Sequence, residues 1–147
     1  MREILFRAKS VYTGEWVYGN YMYNRRQNTH VILYYECPCQ DGTKPSPEEY
    51  NLCDCDVVPE TVCQYTGYKD DTGKRIFEGD IVTFEDITST ESGYSEMDCC
   101  GKVGYDEDEA CFYVTDRLSA ESWEVLGGCH IIGNIFDNPE LLNGEMT

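Results

Sequence analysis

Apolar and polar positions along this chain alternate in short stretches, and glycine or proline interrupts them before any helical repeat is established. Ile4-Leu5-Phe6-Arg7-Ala8 and Trp16-Val17-Tyr18-Gly19-Asn20-Tyr21-Met22-Tyr23 read as two strands joined at Thr13-Gly14, which predicts an opening hairpin. Asn24 to Thr29 is polar and loop-like. His30-Val31-Ile32-Leu33-Tyr34-Tyr35 is apolar without alternation, the pattern of a strand buried on both faces. The pattern then breaks from Glu36 to Asp56, where Pro38, Gly42, Pro45, Pro47 and four cysteines fill a stretch too long for a turn.

Strand character resumes from Val57 to Thr66 around Pro59. Lys69 to Lys74 carries a turn signal at Gly73, and Glu78-Gly79-Asp80 makes a corner before the alternating Ile81-Val82-Thr83-Phe84. Thr88 to Asp98, rich in Ser, Thr, Glu and Gly, predicts an exposed loop. Lys102 to Tyr105 and Ala110 to Thr115 flank the acidic tip Asp106-Glu107-Asp108-Glu109. Trp123 to Leu126 and His130 to Phe136 supply two more strands. Asn138-Pro139-Glu140-Leu141-Leu142 predicts a short C-terminal helix, with Asn138 as N-cap, Pro139 in the first turn and Gly144 as the stop. Many short strands with glycine corners predict a mainly β fold, a small sandwich or barrel.

Composition adds compartment and charge to this picture. The 147 residues suit one domain, or a domain with a packed subdomain, and 12 Tyr, 5 Phe and 2 Trp provide a core. No apolar run is long enough to span a membrane, and Met1-Arg2-Glu3-Ile4 opens straight into a strand pattern. A cytoplasmic protein without membrane contact is therefore expected. In that compartment nine cysteines should stay reduced rather than form a disulfide framework.

The net charge is −17, with six Lys/Arg against nine Asp/Glu up to Glu60 and five against nineteen from Thr61 onward. Phosphate contacts draw their energy from basic residues, so direct nucleic-acid binding is not expected. An acidic face that only keeps the chain soluble is the ordinary reading of such a balance.

The middle and end of the chain carry blocks that can be recognised. Glu3-Ile4, Phe6-Arg7-Ala8 and Trp16-Val17-Tyr18-Gly19 open them. Pro59-Glu60-Thr61-Val62, Gln64-Tyr65-Thr66-Gly67, Lys69-Asp70 and Gly73-Lys74 come next, then Ile76-Phe77-Glu78-Gly79-Asp80-Ile81-Val82. Val125-Leu126 and Ile132-Gly133-Asn134-Ile135-Phe136-Asp137-Asn138-Pro139-Glu140-Leu141-Leu142 close the set. In this order they resemble the YopX family of small phage and prophage proteins. The resemblance implies a β-rich fold, with an N-terminal β subdomain (1–58, carrying a cysteine-rich loop over 36–56) and an SH3-like barrel part (59–147). It also implies a phage or prophage origin and self-association, and no reaction. The chain departs from the pattern at Cys63, where glycine is usual, and between Cys37 and Cys55.

The blocks themselves read as scaffold. Gly67, Gly73, Gly79 and Gly133 suit corners or close approaches, Asp70 and Asp80 suit turns, and Trp16, Tyr18 and Tyr65 suit core or sheet pairs. Gln64, Tyr65 and Thr66 form the one run that would make a binding surface if exposed.

Candidate chemistry is thin. Cys37-Pro38-Cys39 and Cys53-Asp54-Cys55 offer four thiolates for a tetrahedral zinc, but a one-residue gap is tighter than the usual zinc knuckle, and reduced thiols in a variable loop are the simpler reading. The acidic tip begins like a calcium loop and then fails, with Ala110 at the third ligand position and Cys111 where glycine is required. There is no Gly-x-Ser-x-Gly elbow and no phosphate loop, and only His30 and His130 titrate near neutrality. We therefore assign no catalytic residue, cofactor site or metal site. The expectation is a non-enzymatic interaction protein that forms a homo-oligomer and engages a host or phage protein. An acidic mimic of nucleic acid, using carboxylates from Glu78 to Glu124, and an unrecognised hydrolase or transferase are the alternatives.

Overall fold

The computed structural model of the chain describes residues 2–36, 46–90, 93–115, 126 and 128–142. It divides into two compact units, Met1–Gln64 and Tyr65–Thr147. The fold is mainly β in two antiparallel sheets.

In the first unit β1 (Phe6–Lys9) pairs with β2 (Trp16–Asn24), from Phe6 opposite Gly19 to Lys9 opposite Trp16. The predicted opening hairpin is thus present. From Asn20 onward β2 changes partner and pairs with β3 (Thr29–Glu36), which pairs in turn with β4 (Asn51–Val57). The end of β4 then returns to the end of β1. Ser10 bridges Val57, Val11 donates its N–H to the Asp56 carbonyl at 3.0 Å, and Val58 donates to the Lys9 carbonyl at 2.9 Å. Four strands are therefore drawn into a ring at one end.

Period-two alternation decides what this ring encloses. Ala8, Ile32 and Val57 are buried inside it, with Phe6, Val17, Tyr21, Tyr34, Cys55 and Val62 packed around them. The intervening positions face the other way, among them Tyr18, Asn20, Met22, Leu33, Tyr35, Leu52 and Asp54. Uniform burial of the third strand is corrected here. Val31 and Ile32 are buried, but Tyr35 is 68% exposed, because it stands on the outward side beyond Leu33, where pairing with β2 ends.

Cys53 and Cys55 were expected in a loop and stand instead on β4, both on one face, since residues two apart in a strand point the same way. Cys37 and Cys39 lie outside the described residues. After Val57 the chain makes a 3-10 turn at Pro59–Thr61 and only then resumes as β5 (Cys63–Lys69). Proline at the turn's start removes an N–H that a continuous strand would have used. The Thr61 hydroxyl closes the turn, donating to the Val58 carbonyl and accepting from the Lys9 N–H.

In the second unit β6 (Arg75–Phe77) pairs with β5, setting Phe77 opposite Tyr65 with ring centroids 5.7 Å apart. β7 (Asp80–Thr90), β8 (Gly93–Asp106), β9 (Cys111–Val114) and β10 (His130–Asn134) form a sheet in the order β10-β7-β8-β9. Its core is Ile76, Val82, Phe84, Val103, Val114, Leu126 and Cys129, flanked by Phe112 and Ile131.

The Glu78-Gly79 corner is clasped from two sides. Gly79 donates its N–H to the Val103 carbonyl and accepts the Ile135 N–H, both at 2.8 Å. Its φ of +83° is a conformation that suits glycine.

Two sequence expectations change in this unit. The expected exposed loop over Thr88–Asp98 is mostly strand, because β7 and β8 stay paired out to Thr90 opposite Gly93. Its Ser/Thr-rich composition is compatible with strands as well as with a loop, since threonine is β-branched. The C-terminal helix is a single 3-10 turn, Pro139–Leu142, in which Leu141 donates to the Asn138 carbonyl. Asn138 does not cap it, because its Oδ1 reaches back to the Asn134 N–H at 3.3 Å. Trp123–Val125 lie outside the described residues.

Candidate interaction surface

The residues with chemistry to offer are largely spent on structure. Asp70 opens the turn after β5, and its side chain is 1% exposed. Oδ1 accepts from the Thr72 N–H, the Thr72 hydroxyl and the Lys74 N–H at 3.0, 2.7 and 2.9 Å, and Oδ2 accepts the Ile131 N–H at 3.2 Å. Burial alone would raise its pKa. The donors from Thr72, Lys74 and Ile131 outweigh that and hold it down at about 2.

Beside it His130 Nδ1 lies 2.7 Å from Asp71 Oδ1, a contact that raises the histidine pKa above its ordinary value. Asp70, Asp71 and His130 are close enough together to suggest a metal site. Asp70, however, already carries four protein donors, and the His130 nitrogen nearest the carboxylates is taken up by Asp71. The cluster is a clasp between the turn and β10.

Among the described residues, the thiols and histidines near these carboxylates and on β3 and β4 are similarly engaged. Cys129, next to His130, is fully buried, and burial with the charge of Asp70 nearby pushes its thiol up to about 11. Cys53 is also raised, by desolvation, by its hydrogen bond to Glu36 and by the charges of Glu36 and Asp54. His30 stacks against Tyr21, whose hydroxyl lies 2.5 Å from its Nδ1. Asp80 is buried and accepts the Phe77 N–H at 2.8 Å, closing the corner that Gly79 turns. Asp106 accepts the Asp108 and Glu109 N–H groups of its own hairpin, whose last turn residue, Ala110, has a φ of +54°.

The Gln64-Tyr65-Thr66 run does not form an open platform. Tyr65 is buried against Phe77 with the Arg75 guanidinium 5.9 Å from its ring. The Thr66 hydroxyl donates to the Ile76 carbonyl at 2.9 Å and accepts the Tyr68 N–H. Gln64 stands opposite Phe6 in the ladder and is half-buried. Trp16 is half-buried under the Arg7 guanidinium, 4.4 Å above its ring.

The signal missed in the sequence lies on β2 and β3. Tyr18 and Met22, on the same side of the alternation, are 48% and 43% exposed, and Tyr35 joins them on that face. The outward positions of these two strands are Trp16, Tyr18, Asn20, Met22 and Asn24, then Thr29, Val31 (which is covered), Leu33 and Tyr35. None is charged. In the sequence Trp16 and Tyr18 looked like core or sheet pairs. Only the register shows that Tyr18 and Met22 point away from the enclosed Tyr21 and Ile32.

The match to known proteins agrees with the fold. The model of the YopX protein family matches residues 5–143, nearly the whole chain. The chain belongs to the YopX family. Among solved structures this YopX chain is similar to the crystal structure of protein EF1440 from Enterococcus faecalis, at 24% identity and a TM-score of 0.54. The match covers 97% of this chain and 99% of that one. That likeness establishes the shared fold. No curated protein matches the chain. No helix among the described residues is long and apolar enough to cross a membrane.

Proposed function

We propose that this YopX protein is a non-enzymatic interaction module of phage or prophage origin that associates with copies of itself through the outward face of β2 and β3. The carrying observation is that face: Tyr18, Met22 and Tyr35 exposed, with Leu33 between them and no charged residue among the outward positions of β2 and β3 themselves, on a chain of net charge −17. Copies this acidic repel one another, so they associate best where carboxylates are absent. The outward positions of β2 and β3 supply an uncharged stripe of this kind, between Arg7 and Lys9 on one side and Asp54 and Asp56 on the other. The second partner in this reading is a host or phage protein, met elsewhere on the surface in the cytoplasm.

An acidic mimic of nucleic acid would need its carboxylates spread over one face. Asp80 is buried, which removes it from any such face. A hydrolase would need a base set beside an activated nucleophile, and the thiol adjacent to His130 in sequence, Cys129, is buried and held protonated.

The test is amide hydrogen exchange at two protein concentrations. Association through this face slows exchange in β2 and β3 as concentration rises and leaves β7 and β8 unaffected. Exchange in β2 and β3 that is independent of concentration contradicts the reading.

A further inference from the structure

Among the described strands β4 lies at the edge of its sheet, and the chemistry of that edge is unlike the face just described. Because the Asp56 carbonyl accepts the Val11 N–H, the main chain of Asp56 points away from β3. Main-chain groups in a strand alternate sides, so Leu52 and Asp54 also direct their N–H and C=O outward. The residues after β1 cover this edge at its end, through Ser10, Val11 and the Tyr12 hydroxyl, which donates to Asp56 Oδ2 at 3.2 Å. From Asn51 to Cys55 no other described strand pairs with it.

That stretch is exposed and negative. Leu52 is 63% exposed, Asp54 is exposed, and Glu36 stands opposite Asn51 at the same end. Glu48 and Glu49 sit in the 3-10 turn just before the strand. Between Arg26 and Lys69 the sequence holds seven acidic residues against Lys44 alone. The raised pKa of Cys53 agrees with this field, since Glu36 and Asp54 are among its causes.

We infer that the open edge of β4 accepts an extended strand from a basic partner. Hydrogen bonds from the main chain of Leu52 and Asp54 would hold the added strand, and side chains at every second position would select it. The position facing Leu52 takes an apolar side chain and the position facing Asp54 takes Lys or Arg. A second copy of this chain fits poorly, because β4 laid on β4 sets carboxylate near carboxylate. The same acids therefore refuse self-pairing and favour a cationic strand. The inference rests on the reading of the chain as an interaction module, but not on its self-association.

The probe is a short labelled peptide containing Lys-Thr-Lys-Thr-Leu, compared with the same peptide methylated on alternate backbone nitrogens. Methylation keeps the charge and removes the edge hydrogen bonds. The peptide should bind and slow amide exchange at Leu52 and Asp54, and the methylated form should bind roughly tenfold more weakly or worse. Asp54→Lys should weaken binding to a similar degree. Leu52→Pro should abolish the exchange protection at Asp54 while leaving pairing with β3 intact, because the N–H it removes faces outward. Equal binding of the methylated peptide would show attraction by charge alone and overturn the inference, as would unchanged exchange at Leu52 and Asp54. Native mass spectra of the peptide-free protein report association separately, so failure of the edge and failure of self-association are distinguishable.

Discussion

Ile131 donates its backbone N–H to the carboxylate of Asp70 at 3.2 Å, across 61 residues of sequence. With the Asp71 N–H donating to the Cys129 carbonyl at 3.0 Å, it ties the turn after β5 to β10. A residue that looked like an ordinary turn former is thus also a long-range anchor, and its ionisation is coupled to folding.

The consequence is acid sensitivity. The folded pKa of Asp70, about 2, lies below its ordinary 3.8, so the unfolded chain takes up the proton first as pH falls. The stabilisation is complete above pH 3.8 and disappears as pH falls through 2. With the side chain almost wholly enclosed, it amounts to about 2 kcal/mol. Asp70→Asn should lower stability at neutral pH by roughly that amount and flatten the slope between pH 4 and 2. Urea midpoints of both proteins across that range check this.

His130 titrates with the opposite sign. Its pKa is raised by Asp71, so the ion pair favours the folded state below pH 6.5 and is lost as pH rises through the higher folded value. An NMR titration should place His130 above His in a short peptide. Asp71→Asn should bring it back toward 6.5, and a titration unchanged by that substitution would contradict the clasp.

Gly133 is a packing position. A Cβ there would come within 2.6 Å of Asn138 Oδ1 and 3.0 Å of its Cβ. Gly133→Ala should cost about 1–3 kcal/mol, the usual penalty for forcing atoms into a filled space. Adding Asn138→Gly should recover part of the loss. A chemical-denaturation series of the two single variants and the double variant measures the coupling.

Thiol labelling separates the cysteines. Cys111 is exposed at the start of β9 and should react with iodoacetamide in the native state. Cys129 is buried and its thiol is held up at about 11, so it should label only on unfolding. Peptide mapping after brief alkylation reads both, and rapid modification of Cys129 in native protein would reopen the search for a nucleophile beside His130.

Much of the fold was legible because strand signals are local. The Thr13-Gly14 hairpin, the Gly79 corner and the acidic tip between β8 and β9 each arise from a few neighbouring residues. Pairing register was not legible, since it depends on partners far along the chain. It alone sends Tyr21 inward and Tyr18 and Met22 outward, places Cys53 and Cys55 on β4, and extends β7 and β8 through a segment whose composition suggested a loop. The cluster at Asp70 was half visible: turn chemistry marks Asp70, but nothing in the sequence brings Ile131 and His130 to it. The C-terminal turn was misjudged in length because Asn138 satisfies the Asn134 backbone instead of capping the turn that begins at Pro139.

Contact between copies through the outward face of β2 and β3 is tested most directly by native mass spectrometry at tens of micromolar, on wild type and on the paired variant Tyr18→Glu with Tyr35→Glu. The wild type should appear as an oligomer and the variant as a folded monomer. A wild-type monomer at that concentration, or an oligomer that the variant leaves intact, would contradict it.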